Sequence, residues 1–120
     1  MKCFLLADDN PDLRSALRLM LETRLNAALV FEAADHAGLI AQNIAHHPDC
    51  LILDWELPGL DDGNGLKAVR DMLPDLKIIV TSVWPEAAEA AAAAHADAFI
   101  SKTDPPSEIL SAIQRLNGKN

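Results

Sequence analysis

Lys2-Cys3-Phe4-Leu5-Leu6-Ala7-Asp8-Asp9-Asn10-Pro11 is the stretch from which the fold is read. Its apolar run is cut off abruptly by two acids, the pattern of a short strand buried on both faces. Asn10 then offers a capping side chain, and Pro11 a preset first helical position. Leu13, Leu17, Met20 and Leu21 follow at the three-and-four spacing of a helix facing a core. A doubly apolar strand running at once into an amphipathic helix is the repeating unit of a parallel sheet covered by helices.

The unit recurs along the chain. Ala27–Phe31 is a second expected strand, and Asp35 caps a helix carrying Leu39, Ile40 and Ile44 on its core face. Pro48-Asp49 breaks that helix before a third strand, Cys50-Leu51-Ile52-Leu53, which ends at Asp54. Leu57–Gly65 holds one proline and three glycines and reads as a loop. Leu66, Val69, Met72 and Leu73 mark a third helix, stopped by Pro74. Lys77–Ser82 is the fourth strand, Pro85–Ala94 an alanine-rich helix, and Asp97–Ser101 the fifth strand. Ile109, Leu110, Ile113 and Leu116 line the last helix. Five such units imply an α/β fold with a doubly wound, five-stranded parallel sheet.

Half of the 120 residues are apolar, enough for the core of one domain over 1–120. A net charge of −8, from 10 basic and 18 acidic residues, excludes a nucleic-acid footprint and attraction to an anionic membrane. No apolar stretch approaches the roughly 20 residues of a spanning helix, and the first run is too short for a signal peptide. Cys3 and Cys50 both fall in strands, where buried free thiols of a cytoplasmic protein are expected rather than a disulfide.

A parallel sheet binds ligands at the carboxyl ends of its strands. There the first strand ends in Asp8-Asp9, the third in Asp54, the fourth in Thr81-Ser82 and the fifth in Lys102. If the first and third strands are neighbours, three carboxylates meet and repel unless a cation sits among them. Hard oxygen ligands with open positions suit Mg²⁺. A hydroxyl and an ammonium are the groups a phosphoryl anion wants nearby. Each residue alone has a plainer reading: Asp8-Asp9 as helix-cap acids, Asp54 as a turn acid, Lys102 as a solvated lysine. Their gathering at the ends of four strands favours an acidic functional pocket. His46-His47 lacks ligand spacing and reads as surface residues complementing a helix dipole, with His36 and His95 structural.

Phe4-Leu5-Leu6-Ala7-Asp8-Asp9, Asp54-Trp55-Glu56-Leu57-Pro58-Gly59, Val80-Thr81-Ser82-Val83 and Ala96-Asp97-Ala98-Phe99-Ile100-Ser101-Lys102 together resemble the receiver domains of two-component response regulators, over essentially the whole chain. The resemblance implies a flavodoxin-like strand order 2-1-3-4-5. It implies Asp54 as phosphoacceptor and Asp9, Asp8, Asp54 and the backbone carbonyl of Glu56 around Mg²⁺. Ser82, rather than Thr81, would be the switch hydroxyl, Lys102 the phosphate partner, and Phe99 the aromatic that responds. A histidine kinase or phosphotransfer protein would be the donor, and the surface of the fourth helix, fifth strand and fifth helix would meet an output partner or a second copy. The domain would catalyse only its own modification. Lys102-Thr103-Asp104-Pro105-Pro106 is similar to regulators with LuxR-type (NarL- and FixJ-like) DNA-binding domains, so a C-terminal output domain can follow Asn120.

The chain departs from the family pattern at several places. The loop over 59–65 is long and carries Asp61 and Asp62, and about two residues are missing between Ser82 and Lys102. His95 and Ala98 stand where the family has glycines, Trp84 crowds the hydroxyl, and Glu56 occupies a position that influences phosphate lifetime. Two rival readings stand beside the first. One is a receiver-like interaction module that does not use phosphate. The other is an Mg²⁺ phosphatase of the haloacid dehalogenase kind, which would want an aspartate where this chain has Glu56.

Overall fold

The computed structural model describes residues 1–27, 29–61 and 63–118. Its elements alternate as β1 (Cys3–Ala7), α1 (Pro11–Arg24), β2 (Leu29–Ala33), α2 (His36–His46), β3 (Cys50–Asp54), α3 (Asn64–Met72), β4 (Lys77–Ser82), α4 (Ala87–Ala93), β5 (Ala98–Ser101) and α5 (Ser107–Asn117). The strands form one parallel sheet in the order β2-β1-β3-β4-β5, as expected. β1, β3 and β4 lie inside the sheet and are buried almost throughout, which is why their sequences run apolar without alternation. One core, with Leu5, Leu51, Leu53, Ile78 and Val80, packs against Leu39, Leu66, Val69 and Ala91. The other, with Phe4, Leu6, Ile52 and Ile79, packs against Leu17, Leu21, Ile109 and Ile113.

The cap signals hold where they were specific. Asn10 accepts from the amides of Asp12 and Leu13 with Pro11 at the first helical position, and Asp35 accepts from Gly38 at 2.7 Å. α4 is shorter than expected, seven residues with no side-chain cap, because Pro85 and Glu86 precede its first turn rather than join it.

β2 is displaced two residues from the expected Ala27–Phe31, and Ala28 lies outside the described residues. The strand runs on through Glu32 because its carboxylate is tied to Arg14 Nε at 2.9 Å and Arg18 NH2 at 2.8 Å. Burial works to raise the Glu32 pKa, but hydrogen bonds and charge from Arg18 and Arg14 hold it below the usual range. Ile44 and Met72, expected in the core, are 60% and 41% exposed. Ile44 stands five residues past Leu39, well round the helix from the buried pair Leu39 and Asn43. Cys50 is buried and its thiol is pushed up to about 12 by burial, then by Asp97 and Asp49, so it is an inert core residue. Cys3 is also free but only half-buried, a correction to the expected pair of buried thiols. His46 does more than face a helix dipole: its ring stacks on Phe31 at 3.6 Å.

Asn43 occupies a core position with its amide oxygen and nitrogen both buried and without a hydrogen-bond partner among the described residues. A buried amide left unsatisfied carries its desolvation cost uncompensated. Leu has the same branching and no polar atoms. Asn43→Leu is therefore expected to stabilise the domain by about 1 kcal/mol, read as a melting temperature about 4 °C higher. A lower melting temperature would show that a bound water satisfies the amide.

Candidate functional site

The sheet register assembles the acids. β1 and β3 pair from Phe4↔Cys50 to Ala7↔Leu53, so the residues that follow, Asp8 and Asp54, emerge side by side. Asp54 also stands opposite Thr81 on β4, and Ser82 opposite Ser101 on β5. Lys102 follows Ser101, with its amide donating to the Ser82 carbonyl at 2.8 Å. Four strand ends thus deliver their polar residues to one cleft.

Oxygens of Asp8, Asp9 and Asp54 all lie within 4.8 Å of one another, with Asp8 and Asp54 buried and Asp9 exposed. Lys102 Nζ sits 2.9 Å from Asp8 Oδ2 and 3.2 Å from Asp54 Oδ1. The Asn10 amide donates to Asp8 Oδ1 at 2.9 Å and the Glu56 amide to Asp54 Oδ1 at 3.0 Å. Burial and then the Asp8 charge push the Asp54 pKa up, outweighing the Glu56 amide and Lys102. Burial lowers the Lys102 pKa, but its hydrogen bond to Asp8 and the charges of Asp54 and Asp8 raise it overall. The two directions agree with one picture: Lys102 faces only acids, whereas Asp54 faces an acid as well as a base.

With all three acids ionised, three carboxylates against one ammonium leave two negative charges in the cleft. A small divalent cation with oxygen ligands neutralises that excess, so the donor set fits Mg²⁺. Among the described residues the cluster holds only these three acids. Asp61 of the long loop is exposed, and Asp62 lies outside the described residues. The loop is pinned from below by Leu57 and Leu60, both buried. Gly63, at φ 95°, starts α3 where a Cβ would come within 2.8 Å of the Trp55 ring.

The two hydroxyls of β4 part company, as period-two alternation demands. Thr81, in register with Asp54, lines a small apolar pocket with Leu13, Leu17, Ile100 and Lys102 on the α1 and α5 side of the sheet. Ser82 is fully buried and its Oγ lies 3.0 and 2.9 Å from the two carboxylate oxygens of Glu56, while accepting from the Trp84 amide at 3.0 Å. Trp84 itself is 57% exposed at the rim. Phe99 stands opposite Val80 and packs half-buried against the core that includes Ala91 and Ala94. Of the two residues in glycine-like places, His95 does take a left-handed conformation, at φ 71°. Ala98 simply opens β5.

Arg14 was missed by sequence reasoning. Its NH1 donates to the Asp8 carbonyl at 2.6 Å while its Nε holds Glu32, so it braces the turn that presents the acids. The signal was its place one helical turn after the Asn10 cap, on the side of α1 that meets the strand ends.

Comparison with known proteins agrees with this geometry. The family model for the response regulator receiver domain matches residues 4–114. The transcriptional activator protein ExaE of Pseudomonas putida is 32% identical over 114 residues, covering 93% of this chain and 53% of that protein. The probable transcriptional regulatory protein NarL of Mycobacterium tuberculosis is 30% identical over 108 residues, covering 88% and 50%. The chain thus spans about half the length of these curated relatives. Among solved structures, a two-component response regulator of the LuxR family from Aurantimonas sp. SI85-9A1 superposes with a TM-score of 0.87 at 27% identity, over 98% of this chain and 86% of that one. The chemotaxis response regulator CheY4 of Vibrio cholerae shares the fold with a TM-score of 0.83 at 24% identity, over 97% and 98%. A family match along nearly the whole chain, on the strand order and strand-end acids described above, makes this chain a response regulator receiver domain of the two-component signalling systems, with LuxR-type regulators among its relatives.

Proposed function

We propose that the domain accepts a phosphoryl group on Asp54 from a phosphohistidine of a sensor kinase or phosphotransfer protein. One observation carries this reading: the Asp54 carboxylate is held at the centre of the cleft, within 3.2 Å of Lys102 Nζ and among the oxygens of Asp8 and Asp9. An Asp54 oxygen forms the bond to phosphorus as the phosphorus–nitrogen bond of the donor breaks and the imidazole leaves. Asp8, Asp9, Asp54 and the Glu56 carbonyl would hold Mg²⁺, which neutralises oxygens of the incoming group. Lys102, whose charge its acidic neighbours reinforce, pairs with a further phosphoryl oxygen. Glu56 has its carboxylate engaged by Ser82, which disfavours the phosphatase reading, since that chemistry needs a free acid there.

The modified Asp54 gains acceptor oxygens that draw Ser82, and the surface of α4, β5 and α5 changes with it. Phe99 on β5 is the aromatic placed to follow. We assign the output to transcription, through a domain the longer relatives carry, and the site of action to the cytoplasm. The test is incubation with a small acyl phosphate and Mg²⁺, followed by intact mass and phosphate release. One phosphoryl group per chain, lost when the metal is chelated, is expected. Many turnovers of phosphate release would favour a phosphatase, and no adduct at all would favour a module that does not use phosphate.

A further inference from the structure

Ser82 is the residue most constrained at the site. Its side chain is fully buried, while Glu56, the residue that holds it, is exposed. Its one proton is shared between the two Glu56 carboxylate oxygens at 3.0 and 2.9 Å, and its oxygen accepts the Trp84 amide at 3.0 Å. A hydroxyl has one donor, and here it is committed to a charged acceptor, the stronger class of hydrogen bond. Glu56 also grips Asp54 through its backbone amide at 3.0 Å. One residue therefore holds the acid with its main chain and the hydroxyl with its side chain.

From this geometry we infer that the Glu56 side chain is a positioning residue, a latch that keeps the Ser82 hydroxyl turned away from Asp54 in the unmodified domain. The inference rests on the phosphoacceptor reading of Asp54. Ser82 cannot donate to a group on Asp54 while its proton remains on Glu56. A phosphoryl group supplies competing anionic oxygens and repels the Glu56 carboxylate, so modification both attracts the hydroxyl and loosens its holder. When Ser82 turns, the Trp84 amide loses its acceptor. Val83 and Trp84, 47% and 57% exposed, stand next to that amide, so release of the latch is passed straight to an exposed apolar segment leading into α4.

The test uses beryllofluoride with Mg²⁺ as a phosphoryl mimic, observed by the Trp84 amide signal and its hydrogen exchange. In Glu56→Ala, half-saturation is expected at about tenfold less beryllofluoride, and Trp84 exchange without the mimic should be about tenfold faster than in the wild type. Glu56→Gln, which keeps an acceptor for the hydroxyl, should restore most of the Trp84 protection. In a Ser82→Ala background the Glu56→Ala substitution should change neither quantity more than about twofold. Unchanged Trp84 exchange in Glu56→Ala, or a Glu56 effect that persists without the Ser82 hydroxyl, overturns the latch. Failure of the wild type to take up beryllofluoride would instead overturn the phosphoacceptor reading and the switching role with it, leaving Trp84 exchange to judge the hydrogen bond alone.

Discussion

Asp54→Asn should lose phosphoryl incorporation by roughly 10³-fold or more, and yet melt at a higher temperature than the wild type when both are metal-free at neutral pH. The first effect follows because a carboxamide is a far poorer nucleophile and cannot form the acyl phosphate. The second follows from the charge balance of the cleft. A carboxyl whose folded pKa is raised is destabilised in its charged form, by burial and by Asp8, and that cost is present at any pH above its folded pKa. Asn carries no charge and so does not incur it. The ammonium is not orphaned by the change, because Lys102 keeps Asp8 at 2.9 Å. The sign of the pH dependence is fixed by the same reasoning: as pH falls through the raised pKa, wild-type Asp54 takes up its proton and the stability gap should close. Mg²⁺ affinity should fall as well, since the negative excess drops from two charges to one. Intact mass, thermal melts across pH and calorimetry with Mg²⁺ read the three consequences. A variant that still incorporates phosphoryl groups would move the acceptor elsewhere, and one that melts lower would show that the Lys102 pairing outweighs the burial of charge.

The acids were legible before any coordinates because a buried strand announces its own end. Leu53 followed by Asp54, or Ala7 by Asp8, is a boundary between an apolar run and charge, and parallel topology carries such boundaries to one edge of the sheet. The preference for Ser82 over Thr81 came from the family resemblance and not from strand periodicity, which puts Thr81 on the face of Asp54, its register partner. What could not be read was any pairing that depends on side-chain direction across distant segments. Glu32 looked like the end of a strand because the two arginines that neutralise it lie 18 and 14 residues earlier, on α1. Glu56 and Ser82 are 26 residues apart, and nothing local marks them as partners. Ile44 was expected on the core face with Leu39 and Ile40, whereas its neighbour Asn43 is the residue that is buried, because a polar amide beside two isoleucines gives periodicity no reason to choose it.

Arg70→Ala should produce the largest loss of stability of any surface-reaching substitution, because one guanidinium here organises three chain segments. From α3, NH1 donates to the carbonyls of Pro74 and Leu76, and NH2 donates to the His95 carbonyl and to Asp97 Oδ2, each at 2.8 Å. Asp97 Oδ2 in turn accepts the Ile78 amide at 2.8 Å, so the same carboxylate holds the start of β4. His95 adopts a left-handed conformation that costs a non-glycine residue about 1 kcal/mol, and Arg70 holds the carbonyl of that very residue. The Arg70 and Asp97 side chains are only 17% and 28% exposed, so deletion of the arginine leaves a carboxylate and several carbonyls poorly solvated. A loss of about 2–3 kcal/mol follows, or a melting temperature lower by about 10 °C. Arg70→Lys should recover less than half of this, since one ammonium on a flexible stem cannot span the same set of acceptors. Hydrogen exchange should localise the loosening to the turn between α4 and β5. Phosphoryl incorporation at a temperature where the variant is folded should change little, because Lys102 stands at the opposite end of β5, anchored by its own amide to Ser82. A melting shift under about 2 °C would mean that solvent replaces the arginine at these acceptors. A large fall in phosphoryl incorporation would mean that the turn before β5 and the cleft beyond it are not independent.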